Sequence, residues 1–261
     1  MKQKPNKTKM MITGDTRGLV RQPMVGMLVL LGGLFLCAIV ALFYIADQQN
    51  THEDKHLQLL MGKAIENRQE IMHAHTMDNA DWGEAWKNLH LTVNTKWAWD
   101  DQNLGESLYQ RFHYEGIFVV SPQGKTRYSV IGGQLKLQMI ESWLGKDPLP
   151  QLNQRLNASG GNAVSILVAS QGRVTIVSAA WITPDGAASE DKDNGPHSIL
   201  IFADRLTPEK LSIMAQEYGI QGAQILSTQT ARQHEDRNML TLPALGGRIT
   251  FAWQSDDPGN A

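Results

Sequence analysis

A chain of 261 residues with a single cysteine, Cys37, excludes a disulfide framework and leaves a hydrophobic core to hold the fold. The formal net charge is −2, but residues 1–46 carry six Lys and Arg against one acid. The remainder therefore has 18 basic and 25 acidic side chains, a net −7, which argues against nucleic acid and anionic lipid as ligands.

Residues 1–22 are a basic leader with Lys2, Lys4, Lys7, Lys9, Arg17 and Arg21. Residues 23–46, PMVGMLVLLGGLFLCAIVALFYIA, are 24 uncharged and mostly apolar positions. As a helix they would span about 36 Å, so a transmembrane helix is expected there. The run exceeds the roughly 7–15 residue core of a cleaved signal, and no A-x-A-like site follows it, so an uncleaved anchor is expected. Positive-inside bias places the N-terminus in the cytoplasm and residues 47–261 outside, periplasmic or extracellular. The chain is thus expected to be a single-pass protein of the inner membrane.

Residues 47–90 read as one long helix, with Leu57, Leu60, Met61, Ala64, Ile65, Ile71 and Met72 at three- and four-residue spacing. Polar Asn67, Arg68, Gln69 and Glu70 interrupt that stripe. The stripe either packs on its own domain or pairs with a second copy, giving a homodimer through the 47–77 helix, and the two can coexist. Beyond Tyr114 the period shortens. Residues 116–120 and 126–130 form a hairpin around Ser121-Pro-Gln-Gly124, and 163–169 and 173–181 form another around Gln171-Gly172. Residues 137–144 and 149–156 read as helices, and 183–196 as a polar loop with Asp185-Gly186 and Asn194-Gly195. A strand at 197–202 precedes a helix capped by Thr207 and running to about 218. Strands at 223–226, 239–242 and 248–253 close the pattern. The fold class is α+β: a transmembrane helix, a long membrane-proximal helix, then a mainly antiparallel sheet with flanking helices.

Six of the eight histidines lie between 52 and 113, and His52 and His56 are one helical turn apart. No carboxylate or cysteine completes a ligand set, and His73 and His75 point apart on a helix, so no metal site and no cofactor are expected. No nucleophile elbow, zinc-protease motif or phosphate loop is present, and the pairs Asp100-Asp101 and Asp256-Asp257 diverge. The chain is not expected to be an enzyme. Trp82 and Trp86 would share a helical face with Asp78 one turn earlier, either as core or as the wall of a ligand pocket.

The segment Asp78-Asn-Ala-Asp-Trp82-Gly-Glu-Ala-Trp86, then Trp97, Asn103-Leu104, Leu108, Phe112 and Glu115-Gly-Ile-Phe-Val-Val-Ser-Pro-Gln-Gly124 resembles the CHASE4 group of extracytoplasmic sensor domains. Leu206-Thr-Pro-Glu209, Tyr218-Gly-Ile220 and Trp253-Gln-Ser-Asp-Asp-Pro-Gly259 agree with its later part, while Gly83 stands where the family commonly has an acid. The resemblance implies a PAS/Cache-like ligand sensor of a bacterial receptor. It also implies a cytoplasmic output, a cyclic-di-GMP module (GGDEF or EAL) or a histidine kinase, outside these residues. A small-molecule ligand is expected at Asp78, Trp82, Trp86, Asn103 and Tyr114, between the long helix and the sheet. The alternative is a membrane-anchored interaction protein that binds a periplasmic protein partner.

Overall fold

The computed structural model describes residues 16–184, 196–226 and 238–254. The leader up to residue 15, the polar loop at 185–195 and the tail at 255–261 lie outside the described residues. So do the readings placed there, including the Asp185-Gly186 and Asn194-Gly195 turns and the Asp256-Asp257 pair.

The chain divides into two units, 1–53 and 54–261. Helix α1 (Thr16–Ala80) has 65 residues and supplies the described structure of the first unit. Among the described residues no helix is long and apolar enough to cross a membrane, which corrects the expected transmembrane helix at 23–46.

In the second unit, α1 meets a six-stranded antiparallel sheet. Its strands are β1 (Gly116–Val120), β2 (Thr126–Ile131), β3 (Gln134–Leu135), β4 (Val164–Ser170), β5 (Arg173–Trp181) and β6 (Ile199–Arg205), in the order β3-β2-β1-β6-β5-β4. The α+β class and its antiparallel sheet agree with the sequence. Gln171 and Gly172, at φ 52° and 70°, turn β4 into β5. Positive φ at both central residues gives a two-residue hairpin the twist its strands need.

The central strands are apolar at nearly every position because the sheet is covered on both faces. Ile117, Val119, Ile176 and Phe202 face Met61, Ile65 and Met72 of α1. Phe118, Val177 and Ile201 face the opposite way, onto Leu144 of α4 (Ile140–Leu144) and Leu152 and Leu156 of α5 (Leu149–Ser159). The stripe Met61, Ala64, Ile65 and Met72 is thus buried in the domain's own core, while Leu59 stays exposed on the other side of α1. A smaller antiparallel sheet is ordered β7 (Gln224–Leu226), β9 (Gly247–Ala252), β8 (Met239–Ala244). It docks on β4 through Ala169 N–H to the Leu245 carbonyl at 2.9 Å and Leu245 N–H to the Leu167 carbonyl at 2.8 Å. That pairing occupies an edge strand which would otherwise expose unpaired backbone.

The helix expected over 47–90 stops at Ala80. Thr183 N–H donates to the Ala80 carbonyl at 3.0 Å, and its hydroxyl donates to Asp81 Oδ1 at 2.5 Å. A long-range bridge between Asp81 and Thr183 thus replaces the next helical turn, and the chain restarts as α2 (Gly83–Leu89). Expected helical residues 137–139 also lie outside α4, which begins at Ile140.

Gly160 and Gly161 leave α5 at φ 65° and 85°, and a Cβ on Gly161 would sit 2.3 Å from the Trp181 ring, whereas one on Gly160 meets nothing within 4 Å. Gly160→Ala should cost about 1 kcal/mol of backbone strain, and Gly161→Ala at least about 2 kcal/mol more from overlap with Trp181. Urea denaturation of the two variants should show that order.

Candidate functional site

The five residues expected at a ligand site fall into separate places. Asp78 is exposed on α1. Trp82 is the extended residue before α2, at φ −145° and ψ 128°, so the helix break removes the shared face with Asp78. Its ring packs on Trp97 at 5.4 Å between centroids. Asn103 donates to the Trp97 carbonyl at 2.9 Å and holds that loop in place. Trp86 stacks on His90 at 3.5 Å and stands 6.1 Å from His197. Tyr114 lies elsewhere, buried under α1. It stacks on Phe202 and Phe112 at 5.1 and 5.7 Å, and the Arg68 guanidinium is 5.6 Å from its ring centroid.

A cavity of about 300 Å³ opens beside that Tyr114 cluster. Ala64, Arg68 and Ile71 of α1 form one wall, and Arg111, Phe112 and His113 at the end of α3 (Glu106–Phe112) form another. Lys210, Ile213 and Met214 of α6 (Pro208–Gln216), followed by Glu217 and Tyr218, form the third, with Asp204 among the lining residues. The size is at the low end for small-molecule sites, and the mixture of apolar walls with a few charged groups is what such sites show.

Asp204 is the fully buried charge of this site. Arg68 donates to its Oδ2 from Nε at 2.7 Å and from Nη2 at 2.5 Å, and Lys210 donates to Oδ1 at 2.5 Å. Lys210 also reaches Glu115 Oε1 at 2.9 Å and the His113 carbonyl at 2.8 Å, while Arg68 donates to the Phe112 carbonyl at 3.1 Å. Glu115 Oε2 accepts from Arg205 N–H at 2.7 Å. The network unites α1, the α3 exit, β1, β6 and α6. Lys210 is placed by local chemistry, because Thr207 caps α6 by accepting its N–H at 3.3 Å, as the sequence predicts. The sequence reading missed Arg68, Arg111, Phe112, Asp204 and Lys210 as a group. Two signals were present: Arg68 breaks an apolar stripe, and Asp204 ends the apolar run ILIFA.

His75 Nδ1 is 2.6 Å from the Tyr114 hydroxyl, and its ring lies 4.1 Å from Phe112. Burial lowers the His75 pKa, opposed by Asp78 and assisted by Arg68. Burial pushes the Tyr114 phenol up to about 12. A neutral His75 therefore accepts the Tyr114 proton, and protonating the imidazole would reverse that bond. His90 is lowered too, by burial and then by His197. Among the described residues, no group of three or more His, Cys, Asp and Glu could hold a metal ion.

A long helix thus lies on a doubly covered antiparallel sheet, with a cavity against that helix. The family model of the CHASE4 domain matches residues 64–226, and the chain belongs to that family. CHASE4 domains are extracytoplasmic sensor domains of signalling receptors. The matched residues include the cavity's α1, α3 and α6 walls. No curated protein matches the chain.

Two outcomes test the site's electrostatics. Asp204→Ala leaves Arg68 and Lys210 facing each other without their shared anion and should cost about 3 kcal/mol in chemical denaturation. Lys210→Ala should cost less, because Arg68 still neutralises Asp204. For His75, the folded-state pKa lies below the ordinary value near 6.5, so the unfolded chain binds more protons in that window. Stability should fall as pH drops from about 6.5 toward the folded-state pKa, and His75→Gln should lessen that loss.

Proposed function

We propose that this domain senses a small organic molecule in the cavity between α1, α3 and α6. The single observation that supports the reading is that cavity, about 300 Å³ in volume, with α1 as one wall. The ligand would have an apolar body against Ile71, Phe112, Met214 and Tyr218, and an anionic group toward Arg111. Arg68 and Lys210 are committed to Asp204, whereas the exposed Arg111 has, among the described residues, only its stacking over Phe112, at 5.9 Å.

Signalling follows from differential affinity. A ligand that binds one arrangement of α1 against α6 better than another shifts the population toward it. The Arg68–Asp204–Lys210 network gives α1 a defined seat, and filling the cavity beside it would rotate or slide the helix. The output served by that motion is a cyclic-di-GMP module of the GGDEF or EAL type, or a histidine kinase, elsewhere in the receptor.

The test is a thermal-shift screen of the purified chain against organic acids, amino acids, polyamines and nucleosides. A ligand that binds the folded state raises the melting temperature with concentration. The expected result is a hit among molecules with one acidic group, lost in Arg111→Ala and Ile71→Arg and kept in Trp82→Ala. A hit lost only in Trp82→Ala or Trp86→Ala would move the site to the α2 aromatics. No hit at all from a folded protein would defeat the reading.

A further inference from the structure

The last residue pair of β6 points in opposite directions, as strand geometry requires. Asp204 enters the α1 face and the network above. Arg205 enters the other face, paired in register with Thr175 of β5. There it lines a small enclosed space with Arg173, Thr175, Ser170 and Trp143.

Several features of this space do not fit a structural role alone. The Arg205 guanidinium lies over the Trp143 ring at 4.5 Å from the centroid. Its Nε–H is buried and meets no acceptor among the described residues. Burial of an unpaired donor is costly, and a charged donor more so. A second guanidinium, Arg173, shares the space and donates from Nη2 to Gln171 Oε1 at 2.9 Å. No acid is among the lining residues. The nearby carboxylate, Glu115, is already engaged by Arg205 N–H and Lys210 Nζ. The buried Thr175 hydroxyl completes the set, while Ser170 beside it donates to the Gly145 carbonyl at 3.2 Å. Burial and then Arg173 disfavour the charged form of Arg205, opposed by Glu115.

We propose that Arg173 and Arg205, with the Thr175 hydroxyl, form a binding site for a small inorganic anion between β4–β6 and Trp143. The free volume is about 10 Å³, the room of one water-sized particle, so the site takes a halide or the leading oxygen of an oxyanion. Arginine pairs favour such anions through charge-assisted hydrogen bonds in a fork geometry. This site is independent of the cavity reading, since it lies on the opposite face of the sheet and shares no lining residue with the cavity.

The experiment is thermal unfolding of the purified chain in chloride, nitrate, sulfate or phosphate, with ionic strength held constant by gluconate, which is too large for the space. The expected result is a rise in melting temperature that saturates with at least one small anion. Arg173→Gln should weaken half-saturation at least about tenfold, the loss of one charge-assisted hydrogen bond. In gluconate alone, Arg173→Gln should melt higher than the parent chain, because like-charge repulsion is relieved. That second readout keeps the test informative, since Arg173 is exposed and its replacement leaves the core intact. Identical melting in all five anions would overturn the proposal, as would an Arg173→Gln variant with unchanged half-saturation. A dependence on anion type that persists unchanged in Arg173→Gln and Arg205→Met would also overturn it, by showing a general salt effect on the surface.

Discussion

One buried carboxylate, Asp204, sets the terms for the α1 face of this domain. A carboxylate removed from water must be matched in charge and in hydrogen bonds, or its burial is strongly unfavourable. Arg68 and Lys210 meet that demand from two different helices, and their remaining donors hold the carbonyls of Phe112 and His113. The position of α1 against β6, the exit of α3 and the start of α6 are therefore mutually dependent. The cavity lies among these elements, so whatever fills it acts on a joint whose parts cannot move singly.

Covering the sheet on both faces gives the domain two chemically different sides. The α1 side carries aromatic stacking around Tyr114 and a neutralised ion network. The α4 and α5 side carries an apolar cluster, and beside it Arg173 and Arg205 gather positive charge without a carboxylate in the lining. Adjacent residues of β6 supply Asp204 to one side and Arg205 to the other. The sheet is thus the physical link between the two, and Glu115 touches both through Lys210 and the Arg205 backbone.

Local signals were legible wherever a few neighbouring residues suffice. The Gln171-Gly172 hairpin, the Thr207 cap and the run of β5 could be read from turn chemistry and β-branched residues. The family was legible from an ordered series of motifs, and the match over 64–226 bears that out. The expected membrane span, read from the length and apolarity of 24 uncharged positions, is not supported among the described residues. The helix drawn through 47–90 failed at Ala80, because the partner that stops it, Thr183, is about a hundred positions away. The same break dispersed the proposed grouping of Asp78, Trp82 and Trp86, since periodicity has meaning only while one helix continues.

The sequence by itself determined the hairpins and the α6 cap, the α+β class and the family, because propensity, turn geometry and motif order act over short stretches of chain. The tertiary structure alone decided which charges meet. Arg68, Glu115, Asp204 and Lys210 come from four segments, and only the packing of α1 and α6 across the ends of β1 and β6 brings them within hydrogen-bond distance. Electrostatics at that range depends on position in space, and spacing along the chain carries no record of it.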